Sequence, residues 1–441
     1  MTDAPPSYAG DLWSRPRLTG DWFEARDWLL KRGLTLDVDL LQMLQGVGSG
    51  GKEKGDGVEY GGTVDYIFDL DTGKLGLWPG GFLKVHAMSN WGESVNGKAG
   101  AIQAVNSAAL FPTFDRNSTQ IMNLTYAQFL STWFGVVLGK IETLTGDANE
   151  FAHDFRTQFQ NLGFQFNLTG ALTPISALGG GIIVLPFKGA VLTSLVLDPD
   201  GKPDESGFED FFQHGATVAT EFRVAVEPFG LVGHQTVGGT WSTKQRLSLA
   251  QDPSNIFRLL LFSKFPRLAD PGPVLRKILE RFFPGLLQPV RELNHEHHAW
   301  NFYYNFDQYL WHPGGDQKRG IGVFFRFGVS DGDANPIKYH YSAGIGGKGV
   351  VPGRPNDTFG IGWSRIQFSD HLLQFLRQRL HLGLNREDAI EMYYNVAVTP
   401  WLGVTADFQI IEQGLKKQLQ DNRLIDVDTA VVGGLRVYTR F

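Results

Sequence analysis

The chain of 441 residues has no cysteine, so neither a disulfide scaffold nor a Cys-ligated metal site is available. That absence also suits a protein that crosses an oxidising compartment. No window approaches the roughly 20 consecutive apolar residues that a membrane helix needs, which excludes a helical membrane protein. Positive charge is not in excess: the formal net charge is -6, which argues against a nucleic-acid partner. Met1 to Gly10 has neither a basic start nor an apolar run, so the segment is expected to open a mature chain with an added methionine, not a signal peptide. A Gly-x-Ser-x-Gly elbow is missing, and Ser and His are too scattered to nominate a catalytic triad.

Glycine and aromatics are what the chain has in quantity: 54 Gly, 33 Phe, 12 Tyr and 11 Trp. Many short strands with tight turns use glycine, and a lipid-facing wall uses aromatic girdles. Segments with clear two-residue alternation recur. In the last of them Val431, Gly433, Leu435, Val437, Thr439 and Phe441 oppose Arg436, Tyr438 and Arg440. His298, Trp300, Phe302, Tyr304 and Phe306 oppose Ala299, Asn301, Tyr303 and Asn305 in another, and Ile321 to Val329 repeats the pattern. A strand sends successive side chains to opposite faces, so one face reads as oil and the other as water.

Sixteen such segments are expected, near 34–46, 58–70, 81–91, 121–131, 133–141, 175–186, 190–198, 217–228, 229–241, 297–310, 319–330, 337–346, 357–367, 389–399, 402–411 and 427–441. Connections alternate: long ones (92–120, 142–174, 199–216, 242–296, 368–388, 412–426) follow odd-numbered strands, and tight ones such as Pro186-Phe187-Lys188-Gly189 follow even ones. The connections at 71–80 and 347–356 are long for turns, and 331–336 is short for a loop. The fold class is therefore all-β, a transmembrane 16-stranded antiparallel barrel with long external loops and a short N-terminal helix. Closure leaves no backbone amide unpaired in hydrocarbon, where each would cost several kcal/mol. Residues 1–33 form an N-terminal segment, with a short amphipathic helix expected over 21–32 at the periplasmic mouth or rim, and 34–441 form the barrel. Within the 242–296 external loop, Val274 to Phe283 also has helical spacing.

Leu18-Thr19-Gly20-Asp21-Trp22-Phe23-Glu24-Ala25-Arg26, Trp78-Pro79-Gly80-Gly81, Val137-Leu138-Gly139-Lys140, Arg319-Gly320-Ile321-Gly322, Val351-Pro352-Gly353-Arg354-Pro355-Asn356-Asp357 and Glu391-Met392-Tyr393-Tyr394 follow in order along nearly the whole chain. Together they resemble the carbohydrate-selective porin family of Gram-negative outer membranes. Lys140 stands where the family pattern has Arg, and the 242–296 loop is longer than usual. The resemblance implies an outer-membrane channel that passes sugars or similar small polar solutes by diffusion through a narrowed polar pore. By analogy with porins, the 142–174 connection would fold inward as the constriction. A monomer or a homotrimer is compatible with this size, with outer-membrane lipid as the surrounding partner. No cofactor is expected.

A sugar-conducting lumen needs polar groups that replace water on hydroxyls, each contact weak enough to release the solute. Alternation puts Asp65, Lys84, His86, Lys140, Glu221, Arg223, Glu227, Asn301, Tyr303, Asn305, Arg326, Asp407, Gln409 and Arg436 on the inward face. Lys140, Glu142 and Arg156 near the inward connection, with Glu221, Arg223 and Arg326 opposite, are the constriction candidates. Charges of both signs suit a neutral polyol better than an ion. A channel for aromatic or carboxylic acids, an outer-membrane barrel enzyme and a soluble all-β binding protein are the competing readings. His295-Glu296-His297-His298 lacks the His-Glu-x-x-His helix pattern and reads as a polar strand end, not a metal site. Gly346-Gly347-Lys348-Gly349 lacks the spacing of a phosphate loop and reads as a turn.

Overall fold

The computed structural model describes residues 7–53, 57–114, 116–251, 272–282, 292–371, 385–420 and 423–441. Sixteen strands join in chain order into one closed barrel. They are β1 (Leu34–Gly51), β2 (Val58–Asp71), β3 (Gly81–Gly92), β4 (Thr119–Phe129), β5 (Phe134–Glu142), β6 (Ser176–Val184), β7 (Ala190–Leu197) and β8 (Thr217–Val226). The second half runs β9 (Gly233–Ser242), β10 (Ala299–Trp311), β11 (Gly320–Ser330), β12 (Ile337–Lys348), β13 (Thr358–Phe368), β14 (Arg386–Thr399), β15 (Leu402–Glu412) and β16 (Asp428–Arg440). Every neighbour pair is antiparallel, and β1 closes on β16 with Asp39 opposite Arg440 and Leu41 opposite Tyr438. All the expected strands are present, because two-residue periodicity with one apolar face survives in nearly every segment.

The connections sort to two ends. At the end that carries the start of β1 and the close of β16, exposed Trp78, Trp133, Phe187, Phe229 and Trp311 gather in or beside the short turns, as an interfacial girdle requires. The longer 72–80 turn is tied internally: Asp71 Oδ1 accepts from the Gly73 and Lys74 amides, and Thr72 Oγ1 donates to the Trp78 carbonyl at 2.5 Å. The short 331–336 loop is compact because Asp331 Oδ1 accepts three successive amides, those of Asp333, Ala334 and Asn335.

The N-terminal helix α1 (Ala25–Lys31) is shorter than the 21–32 expected from spacing. Trp22, Phe23 and Glu24 all have positive φ, which breaks the helix before Ala25. Its buried Arg26 bonds the Leu36 carbonyl at 2.6 Å, Asp37 at 2.5 Å and the Phe441 carbonyl at 2.9 Å. Leu18 also donates to the Arg440 carbonyl and Trp401 to the Leu12 carbonyl. This segment thus clips the first and last strands together at the rim. Besides a single helical turn at Asn96–Ala99, a ten-residue helix (Pro273–Phe282) lies in the 242–296 connection, beginning one residue earlier than its spacing suggested.

Inside the barrel the oil-and-water division does not hold uniformly. Phe151, Phe159 and Phe164 from the 143–175 segment pack on inward-facing Tyr309, Phe324 and Tyr393. Val95, Ala99 and Val105 from the 93–118 connection pack on Val47, Ala389, Ile411, Ala430 and Val432. One sector of the inner wall is therefore a buried core, and the passage is confined to what remains.

Candidate functional site

Two inserted segments are held by charged side chains projecting from the wall, and the bonds go mostly to backbone. Arg326, fully buried on β11, donates to the carbonyls of Phe164 (3.0 Å), Asp147 (3.0 Å) and Ala152 (2.6 Å), and pairs with the Asp147 carboxylate at 3.0 Å. Arg436 on β16 donates to the carbonyls of Phe155 and Gln158. Glu391 on β14 accepts the Gln160 and Asn161 amides at 2.5 and 2.8 Å. Glu387, four residues earlier on the same face of β14, does the same for Ile102 and Gln103 at 3.1 and 2.7 Å. A buried peptide group without a partner is costly, so these bonds are what allows irregular chain to lie inside the barrel.

Opposite this packed sector a cavity of ≈ 310 Å³ stays open. Its polar lining includes Asp65, Lys84, His86, Glu142, Asp154 and Arg156, and Phe111, Phe155 and Phe166 supply apolar faces. Asp65 (β2), His86 (β3) and Glu142 (end of β5) form a chain: His86 Nε2 lies 2.8 Å from Asp65 Oδ1 and Nδ1 lies 2.7 Å from Glu142 Oε2. Arg156 Nη2 reaches the other oxygen of Asp65 at 2.8 Å. Burial would lower the Arg156 guanidinium, but Asp65 and the neighbouring carboxylates hold it above its ordinary value. His153, beside them, is pushed below its usual range by burial and by Arg326.

The residues nominated from sequence separate into groups. Asp65, Glu142 and Arg156 come together on the cavity. Arg223 stands elsewhere on the inner wall, 3.9 Å from Asp307, which also bonds His234 at 2.7 Å. Glu221 accepts the Asp147 amide at 2.7 Å and the Tyr303 hydroxyl at 2.5 Å, so both belong to the holding of the inserted segment. Arg326 and Arg436 do too, and Asp407 bonds Gln409, which reaches the Val105 carbonyl. Asn301 turns inward to Thr240, Asn305 holds Asp147, and Glu227 lies beyond the end of β8.

Lys140 departs from its expected inward position. It lies across from Leu124 on the wall face that carries exposed Leu138, and its ammonium bonds the carbonyls of Pro203 and Glu205. Alternation in β5 is unbroken here, since its pairings with β4 and β6 run without a register shift, so Lys140 shares the face of Leu138 two residues away. Its charge is accommodated there because the ammonium finds those carbonyls in the 199–216 connection. His295 and Glu296 pair with Arg246 and Leu247 in a short ladder, and His298 stacks on Trp241. Among the described residues no cluster suits a metal ion.

Sequence reading missed the second inserted segment. Its signal was present: no charged residue occurs between Lys98 and Asp115, nor between Arg156 and Lys188. A connection that long without charge is unsuited to solvent.

A closed barrel of sixteen strands with irregular chain folded into its lumen beside a polar cavity has the build of a porin-type channel. The chain belongs to the carbohydrate-selective porin, OprB family, whose model matches residues 56–441. Porin B of Pseudomonas aeruginosa is 31% identical over 142 residues, and the match spans 29% of this chain and 29% of that relative's length. The high-pH structure of Pseudomonas putida OprB is 20% identical, with a TM-score of 0.78 over 98% of this chain and 100% of that one. Its low-pH structure gives 0.57 at 15% identity, over 97% and 99% of the two chains. These two likenesses show the fold. Family and barrel together place the chain in the Gram-negative outer membrane.

Proposed function

We propose that this chain is a passive channel for small neutral sugars and similar polyols, with no catalytic group and no cofactor. The carrying observation is the cavity beside the 143–175 segment, in which charges of both signs face aromatic and apolar side chains. Such a surface offers hydroxyls donors and acceptors, and offers the apolar face of a sugar ring Phe111, Phe155 or Phe166. Mutual pairing of the charges keeps each contact weak enough for release. In this reading 34–441 is the barrel, 142–174 narrows it, 242–296 is an external loop, and residues 1–33 close the periplasmic rim. The working unit is one barrel, alone or in a homotrimer.

Liposome swelling with mono- and disaccharides beside aromatic and carboxylic acids tests the reading. Sugars are expected to enter and the acids to lag. Faster entry of the acids would replace the sugar assignment with an acid channel, and hydrolysis of lipid ester without swelling would replace the channel with a barrel enzyme.

A further inference from the structure

His86 presents both ring nitrogens to carboxylate oxygens, Nε2 to Asp65 and Nδ1 to Glu142. A carboxylate only accepts, and a neutral imidazole has a single N–H, so both bonds can be made only if the group of three carries one extra proton. That count holds whether the proton resides on the ring or on one carboxyl. The three residues then carry one net negative charge instead of two.

We infer that His86 is a specificity-determining residue, which by bridging two carboxylates balances the charge of the cavity wall and makes the passage a filter for uncharged solutes. This deepens the channel reading above and rests on it. With His86 counted as the cation, the lining has three positive groups (Lys84, His86, Arg156) and three negative ones (Asp65, Glu142, Asp154). His153 also lines the cavity, with its Nδ1 on the Gln165 carbonyl at 3.0 Å, and Asp69, outside the cavity lining, faces Lys84 across the β2–β3 ladder. Asp65 is the hinge of the arrangement because its second oxygen already holds Arg156. Without the ring proton the wall keeps one unbalanced carboxylate, and cations gain over anions in a confined lumen of low dielectric.

Reversal potentials across a planar bilayer under a KCl gradient at neutral pH test this on the full chain. The unmodified channel is expected near zero potential. His86→Gln should raise the potassium-to-chloride permeability ratio severalfold, Glu142→Gln should lower it severalfold, and the double substitution, which restores the charge count, should return it towards the starting value. A residue serving only as packing would not give shifts of opposite sign that cancel. Channels that conduct normally but show the same reversal potential in all four proteins would overturn the role of His86 and leave the channel reading standing. Absence of conductance in the unmodified protein would remove both. Sugar-induced block of the current, followed in the same membranes, reports separately that the variants are folded.

Discussion

The two sectors of the inner wall use the same residue types for opposite ends. On β11, β14 and β16, Arg326, Glu391 and Arg436 are buried and spend their bonds on the backbone of inserted chain. On β2 and β3, Asp65 and His86 pair with Glu142 and Arg156 and leave an open space beside them. An inward charge is therefore not evidence of contact with solute. What separates the sectors is where the bonds go: to the backbone of inserted chain in one, and to other side chains around an open space in the other.

The packed sector should give the largest response to substitution. Arg326→Met leaves the Asp147 carboxylate buried without its cation, and breaking a buried pair in this way costs about 3–5 kcal/mol. Thermal unfolding of the detergent-purified barrel should show a marked loss, with larger and noisier single-channel conductance as the 143–175 segment detaches. Unchanged melting and conductance would mean that Arg326 does not hold the segment. Glu387→Leu removes the acceptor of the Ile102 and Gln103 amides and should cost roughly 1–3 kcal/mol. Since Glu387 touches the 93–118 connection and not the 143–175 segment, sugar block should persist in it. Loss of block would show that the two inserts act as one unit.

Arg223 and Lys140 sharpen the comparison from the other side. Arg223 lies on the inner wall near Asp307, and Lys140 lies on the outer side beneath the Pro203 and Glu205 carbonyls. Arg223→Ala should change relative sugar and acid permeation, and Lys140→Ala should not, with stability changes of about 0.5 kcal/mol or less in each. Liposome swelling on the two variants decides it: equal effects would restore Lys140 to the lumen.

The strands were legible because a barrel wall imposes alternation on each segment separately, so local pattern carries the answer. Glu142 and Arg156 were also within reach, since one opens the inward connection and the other lies within it. Long-range reciprocity was not. That Arg326 seeks the carbonyls of residues far away in sequence, or that Glu221 accepts the Asp147 amide, depends on how inserted chain lies against the wall. Lys140 failed for a different reason: its charge suggested the inner face, whereas two-residue spacing puts it with exposed Leu138, and the carbonyls that receive its ammonium lie in the 199–216 connection. His86 could be placed inward, but its tie to Glu142 joins strands β3 and β5, which are not neighbours in the sheet.

Asp357 supplies the smallest effect and a control, because it lies outside the lumen in the Pro-Gly-rich turn before β13. It accepts from Arg354 at 2.8 Å, from the Tyr394 hydroxyl at 2.8 Å and from the Ala397 amide at 2.9 Å. Burial works to raise its carboxyl, but these donors prevail and hold it below the ordinary carboxylate range. A depressed value means that the unfolded chain binds the proton first. The turn's contribution is thus fully present above the ordinary carboxylate pKa, about 4, and is lost as pH falls through the depressed value. Asp357→Asn should lower stability by about 1 kcal/mol at neutral pH and flatten that acid-side loss, with sugar permeation unchanged. If melting curves of the variant and the parent fell in parallel from pH 6 to pH 3, the acid sensitivity would belong to other carboxylates, and the ones facing the cavity would be the next to examine.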